Sequence, residues 1–261
     1  METISYQKFH DTGTDILLKK KHTHNRNVEI LHIIKGKGQI IVGGKLYPLT
    51  DNTIFFIPPM SFHFSVPENC DEYIRSVVNI NEEYLTNLCN ITGFTKILEK
   101  LIKSVCVVLD KTTSEYTDIE FARFSSKKQS EHSMAILNIL SRISSIEKRQ
   151  HIPENHLSAI MEYINKNLSE KITLDHICEK HHISKYYLCH TFKETTNMSI
   201  MNYILNQRIA LAKNLMIHSD KSISEIAVES GFSTFSYFSR IFKTIEKISP
   251  REFRKKYTHK K

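Results

Sequence analysis

Two hydrophobic grammars divide the chain. From Thr173 onward, apolar residues recur at helical spacing, whereas between Glu29 and Pro59 they come in short β-branched and aromatic bursts split by turn residues. Within the helical region a pair of stretches repeat each other about fifty residues apart: TLDHICEKHHISKYYLCHTFK from Thr173 and SISEIAVESGFSTFSYFSRIFK from Ser222. The match begins with Thr173/Ser222, Ile177/Ile226 and Ser184/Ser233. It gains one residue inside the second copy, then continues through Leu188/Phe238, Phe192/Phe242, Lys193/Lys243 and Tyr203/Phe253. A unit seen twice is too few for a solenoid, so each copy is expected to fold as a motif of its own.

Each copy reads as helix, turn, helix, over about 173–196 and 222–246. Thr173 and Ser222 are N-cap residue types ahead of apolar runs, and Ser222-Ile223-Ser224-Glu225 has the capping-box spacing. The first helices are therefore predicted over about 174–181 and 223–230. His182 and Gly231 fall at the breaks, and Ser184 and Ser233 are the expected caps of the helices that follow. On those second helices the helical period puts Leu188 and Phe192, or Phe238 and Phe242, on one face. The opposite face carries Tyr186, His190, Lys193 and Asn197 in one copy and Ser236, Arg240, Lys243 and Lys247 in the other, with Cys189 and Ser239 at the flanks.

Such polarity suits a helix laid in the major groove of DNA. A charge run is also what a solvated surface looks like, but its recurrence at matching positions in both copies favours DNA. Between the copies, Asn202–His218 has no Gly or Pro and sets Ile204, Ile209, Ala212, Leu215 and Met216 near one stripe, which predicts a linker helix of roughly 25 Å. With the flanking motifs, that length suits reading helices about one DNA turn, ~34 Å, apart. Because the two faces differ, the DNA site is expected to be asymmetric.

The segment from about Leu157 to Lys256 resembles the DNA-binding domain of the AraC/XylS family of bacterial transcription regulators. The resemblance rests on ISKYYLCHTFKETTNMS, on the linker YILNQRIALAKNLM with Arg208, and on IAVESGFSTFSYFSRIFKTIEKISPREFR. It implies base contacts from both second helices, at Tyr186, Cys189 and His190 and at Phe235, Ser236 and Arg240; the polar faces read above add Lys193 and Lys243 as DNA-binding residues. His190 stands where many members carry Arg, so the first helix is expected to bind more weakly or in a pH-dependent way.

The strand-like region runs EILHII, Gly-Lys-Gly, QIIV, Gly-Gly-Lys, LYPL, Thr-Asp-Asn, TIFFIPP, which reads as consecutive hairpins closing into a small barrel or sandwich. Residues 81–90, 94–104 and about 115–148 return to helical composition. The expected fold is α+β: a cupin-like β-barrel followed by helices over 1–150, and an all-α domain with two helix-turn-helix motifs over 151–261, separated by the polar stretch Glu147–His156. Ile136, Ile139, Ile143 and Ile146 follow a 3-4-3 spacing that leaves two readings open, a homodimer seam or packing onto the barrel.

His22-x-His24 with Glu29 and Gly36 matches the spacing of a first cupin motif, and Pro59-Met60-Ser61-Phe62-His63 a reduced second one. Three imidazoles and a carboxylate, His22, His24, Glu29 and His63, are a chemically sound set for a divalent ion. The second motif lacks its usual glycines, and sensor barrels of the family that the chain resembles generally take an organic effector, so no metal or other cofactor is expected. The polar groups of an effector pocket would be His24, Glu29, His63 and Arg75, set among Leu31, Ile33, Phe55 and Ile57.

Composition changes this picture little. Of 36 Lys+Arg and 28 Asp+Glu, net +8, residues 151–261 hold 17 and 11, so most of the excess lies where DNA is expected. The basic tail Lys255–Lys261 reads as a disordered end, with phosphate contact as the other reading. Five cysteines without a Cys-x-x-Cys, no signal-like N-terminus and no long apolar run point to a cytoplasmic protein away from membranes. The expectation is a non-enzymatic, sequence-specific transcription regulator of promoter DNA. A small-molecule effector, by resemblance a sugar or metabolite, would modulate it, and RNA polymerase would be a partner if it activates. The alternative is a metal-dependent cupin enzyme fused to a DNA-targeting domain.

Overall fold

The computed structural model describes residues 3–11, 24–146 and 156–258. His22, most of the Glu147–His156 stretch and the last three residues of the basic tail lie outside them. The chain divides into two compact units, one of Met1–Val42 with Leu46–Pro153 and one of Glu154–Lys261 with Gly43–Lys45.

In the first unit, β1 (Ile4–Asp11), β2 (Asn27–Lys35), β5 (Thr53–Ile57), β7 (Tyr73–Asn81) and β8 (Cys106–Val108) form one sheet in the order β1-β7-β2-β5-β8. A second sheet, in the order β4-β3-β6, is made of β3 (Gly38–Val42), β4 (Lys45–Leu49) and β6 (His63–Pro67). The expectation of consecutive hairpins is corrected here: only β3 and β4 are sequential neighbours that pair, while β2 pairs with β5 and β7. The Gly36-Lys37-Gly38 link passes from one sheet to the other instead of folding back. Gly36 and Gly38 have φ of 147° and 144°, and a Cβ on Gly38 would stand 2.3 Å from the Val66 carbonyl oxygen. A side chain there would drive the two strands apart.

The two-residue alternation of a strand sends β2 to two cores. Leu31 and Ile33 pack with Ile40, Val42, Tyr47, Leu49, Phe55, Ile57 and Tyr73 between the sheets. Val28 and Ile30 point the other way, with Ile54, Phe56, Val78 and Ile80, under α1 (Glu82–Thr92), α2 (Thr95–Ser104), α3 (Lys111–Ala122) and α4 (Gln129–Ser144). Ile136, Ile139 and Ile143 on α4 are buried in that second core, with Ile146 packed against it. The 3-4-3 stripe is thus internal packing and not a dimer seam. Leu31, Ile33, Phe55 and Ile57, expected as pocket walls, are buried in the inter-sheet core.

The second unit holds seven helices among the described residues: α5 (His156–Lys166), α6 (Leu174–His181), α7 (Lys185–Thr196), α8 (Ile200–His218), α9 (Ile223–Glu229), α10 (Phe235–Glu246) and α11 (Pro250–Tyr257). Thr173 caps α6 through the His176 amide, and Ser222 and Glu225 close a full capping box on α9. Ser184 caps α7, but the cap of α10 is Thr234 and not Ser233. The extra residue of the second copy therefore lies before the cap, in the turn, and shifts the cap by one. The linker helix α8 starts earlier than its apolar stripe, at Ile200, because Ser199 accepts a hydrogen bond from the Asn202 amide. It is buried on more than one side, at Tyr203, Gln207, Ala210 and Lys213 as well as at Ile204, Ile209, Ala212 and Met216.

Candidate functional site

On α7 and α10 the helical period divides the residues as their apolar positions require. Leu188 and Phe192 face inward on α7, and Phe238 and Phe242 on α10. Phe192 meets Tyr203 edge-on at 5.3 Å between ring centroids, and Phe242 meets Phe253 at 5.4 Å. The opposite faces are open. Tyr186, Cys189, His190 and Lys193 are exposed on α7, and Phe235, Ser236, Arg240 and Lys243 on α10. Tyr186 is 78% exposed and Phe235 42%, unusual for aromatic rings in a folded unit without a partner to cover them.

The surface groups are already organised. His190 stacks on Tyr186 at 5.5 Å and its Nδ1 lies 3.1 Å from Glu194 Oε2. The Arg240 guanidinium sits 5.4 Å from the Tyr237 ring centroid. Behind the faces, Arg208 donates from Nε and Nη2 to the carbonyls of Leu168 and Glu170, at 2.9 and 2.6 Å, and burial pulls its pKa down. Gly231, at φ of 82°, leaves room for this clasp: a Cβ would stand 2.0 Å from the Leu168 oxygen. Buried Lys213 reaches Glu246 at 2.8 Å and fastens the end of α10 to α8. Burial lowers the Lys213 pKa, with Glu246 opposing. The Lys213–Glu246 pair has no counterpart in the repeat and no sequence signal beyond a lysine on the apolar side of α8.

The first unit brings together three of the four polar groups expected for an effector. Glu29 is the first inward residue of β2 after Asn27, and His63 opens β6 in the facing sheet; they are 5% and 4% exposed. His24 precedes β2, held by a hydrogen bond from the Met60 amide to its carbonyl. His24 Nε2 lies 2.7 Å from Glu29 Oε2, and His63 Nε2 lies 3.4 Å from Glu29 Oε1. Burial works to raise the Glu29 pKa, but the His63 charge and the two imidazole hydrogen bonds prevail and hold the carboxyl well below the usual carboxylate range. Burial likewise pushes His63 down, and Glu29 with the Ser61 carbonyl more than reverses it. Glu29 and His63 thus each favour the charged form of the other.

Arg75 is not one of this group. It is opposite Ile33 in register whereas Glu29 is opposite Asn79. Four residues of strand, about 13 Å, separate the two positions. Its guanidinium instead lies 4.7 Å from the ring centroids of both Phe9 and Tyr73. A basic residue in an extended run gives no sign of which end of the barrel it occupies, and residue type alone groups it with the histidines.

A second polar site has almost no trace in the sequence. His32 on the helix side of β2 hydrogen-bonds Ser114 of α3 at 2.9 Å, beside Ser76, Asp118 and Lys8. Burial pulls the His32 pKa down to about 4. Its only sequence signal is a histidine in phase with Val28 and Ile30.

Comparison with known proteins bears on both units. The model of the AraC-like ligand binding domain matches residues 10–151, and that of a helix-turn-helix domain matches 177–256. The HTH-type transcriptional activator RhaR of Mannheimia succiniciproducens is 23% identical over 92% of this chain and 88% of its own length. The bifunctional transcriptional activator/DNA repair enzyme AdaA of Bacillus subtilis is 36% identical over 36% of this chain and 45% of its own. Among solved structures, ToxT from Vibrio cholerae aligns over 99% of this chain and 100% of its own, with 16% identity and a TM-score of 0.42. No helix among the described residues is long and apolar enough to cross a membrane. The chain belongs to the AraC/XylS family of DNA-binding transcription regulators, with an AraC-like ligand-binding unit ahead of its helix-turn-helix unit.

Proposed function

We propose that this regulator reads an asymmetric promoter site with α7 and α10 in successive major grooves, and that a small effector held by the first unit modulates that reading. The observation that carries the proposal is the pair of matched helices whose inward aromatics are buried and whose outward faces, from Tyr186 to Lys193 and from Phe235 to Lys243, are open. Lys193 and Lys243 serve phosphates, while Tyr186, Cys189, His190, Phe235, Ser236 and Arg240 meet base edges and methyl groups. His24, Glu29 and His63 are the polar groups of the effector site. The relatives named transcriptional activators support activation as the mode of action, with RNA polymerase as the partner it would then need.

Selection of bound sequences from a random duplex pool, followed by footprinting, tests this reading. Two unlike half-sites, with centres about one helical turn apart, are expected. A palindromic site, or no sequence preference, refutes it. The enzymatic alternative is favoured by one observation, the His24–Glu29–His63 cluster, and would show itself as turnover of a small molecule by the purified chain.

A further inference from the structure

We propose that His24, Glu29 and His63 form a binding site for a divalent first-row transition metal ion of the zinc class. One nitrogen from each imidazole and a carboxylate oxygen lie within 4.8 Å of one another. Metal–ligand bonds of about 2.0–2.2 Å in tetrahedral array put donor atoms roughly 3.3–3.5 Å apart. The 3.4 Å from His63 Nε2 to Glu29 Oε1 already has that value, and the 2.7 Å from His24 Nε2 to the other carboxylate oxygen, Oε2, must open by about 0.6–0.8 Å to reach it. Imidazole and carboxylate together suit zinc and its neighbours and not the hard, oxygen-seeking Mg²⁺ or Ca²⁺.

The surroundings are those of a ligand set. His63 Nδ1 hydrogen-bonds the Ser61 carbonyl at 2.8 Å, which orients the ring and points Nε2 at Glu29, the outer-shell arrangement of metal-binding histidines. The segment bearing Ser61 and His63 is stitched to His24 by the Met60 amide. Directly across from Glu29 in register stands Asn79, whose buried Oδ1 has no hydrogen-bond partner. Three protein ligands leave at least one position for water or an anionic metabolite.

The site deepens the effector reading and rests on it for its consequence: the ligand sensed is a metal cation, alone or with an anion bound to it. The test uses the full chain, stripped with EDTA and dialysed. Titration with Zn²⁺ by calorimetry is expected to show one ion per chain at micromolar affinity or tighter, and Co²⁺ to give the visible bands of a low-coordinate site. His24→Gln, Glu29→Gln and His63→Gln should each weaken Zn²⁺ about 100-fold or more. His24→Gln, at the most open of the three positions, guards against loss by misfolding, with circular dichroism as the check. No uptake by folded wild type, or undiminished uptake by all three variants, overturns the site. DNA affinity measured with Zn²⁺ and with EDTA separates the two readings: Zn²⁺ bound here without effect on DNA supports the site and refutes the effector role.

Discussion

The two helix-turn-helix copies share a backbone and differ in where they keep their charge. α7 and α10 are both hydroxyl-capped, at Ser184 and Thr234, and both end in a left-handed residue, Asn197 and Lys247. Outside, His190 faces Glu194, one turn along, whereas Arg240 has Thr244 at that distance. Inside, the position of Thr196, whose hydroxyl bonds the Phe192 carbonyl, is taken in the second copy by Glu246, paired with Lys213. The first copy therefore sets a carboxylate beside His190 on its exposed face and keeps a neutral core; the second sets a hydroxyl one turn from Arg240 and is pinned inside by a buried ion pair. One fold is used twice, and the difference between the copies comes from single positions, not from the backbone.

The largest test of that contrast is in the interior. Lys213→Ala leaves the Glu246 carboxylate without its lysine and should cost about 3–5 kcal/mol in chemical denaturation. Thr196→Ala should cost about 1 kcal/mol, and equal losses would erase the distinction. Next come the turns. Gly231→Ala places a Cβ against a backbone oxygen at a φ of 82°, with an expected cost of about 3 kcal/mol, while His182→Gly, at a φ of 53°, should gain up to about 1 kcal/mol. Thermal unfolding of both variants decides it.

At the DNA surface the effects are smaller. Arg240→Ala should lose about 1–3 kcal/mol at the selected site and relax preference in one half of it, while Lys193→Ala weakens all sequences alike. Equal loss for Arg240→Ala on specific and random duplexes removes Arg240 from the base edges. The smallest effect is at Glu194. Glu194→Gln should tighten binding by about 0.5 kcal/mol and steepen its salt dependence, and Thr244→Glu should do the reverse in the second copy. Salt titrations that coincide for the two variants and wild type would show that the carboxylate beside His190 does not offset the charge of the first copy.

What is legible in the sequence is local. Caps at Thr173, Ser184 and Ser222, and the division of α7 and α10 into apolar and polar faces, follow from residues a turn or two apart. Thr234 is harder to find because Ser233 and Thr234 are adjacent residues of equal capping ability, and only the turn geometry chooses between them. In the first unit the bursts of β2, β3, β4 and β5 are readable as strands, but β1, β6, β7 and β8 carry weaker signals, and the pairing of β2 with β5 and β7 joins segments far apart in the chain. The isoleucines of α4 show the same difficulty: their spacing fits a seam and a core equally, and only the sheet beneath them decides. Spacing groups His24, Glu29 and His63, type alone adds Arg75, and the barrel brings together only the first three.

The alternation along β2 places Glu29 on one side of the sheet and His32 on the other, each against partners of its own chemistry. A frame error of one residue would exchange them: the carboxylate would be thrust among the isoleucines beneath the helices and the imidazole into the gap between the sheets. The alternation is thus an error-detecting code against odd-numbered slips, because a one-residue mispairing of β2 with β5 or β7 would bury the Glu29 carboxylate in hydrocarbon.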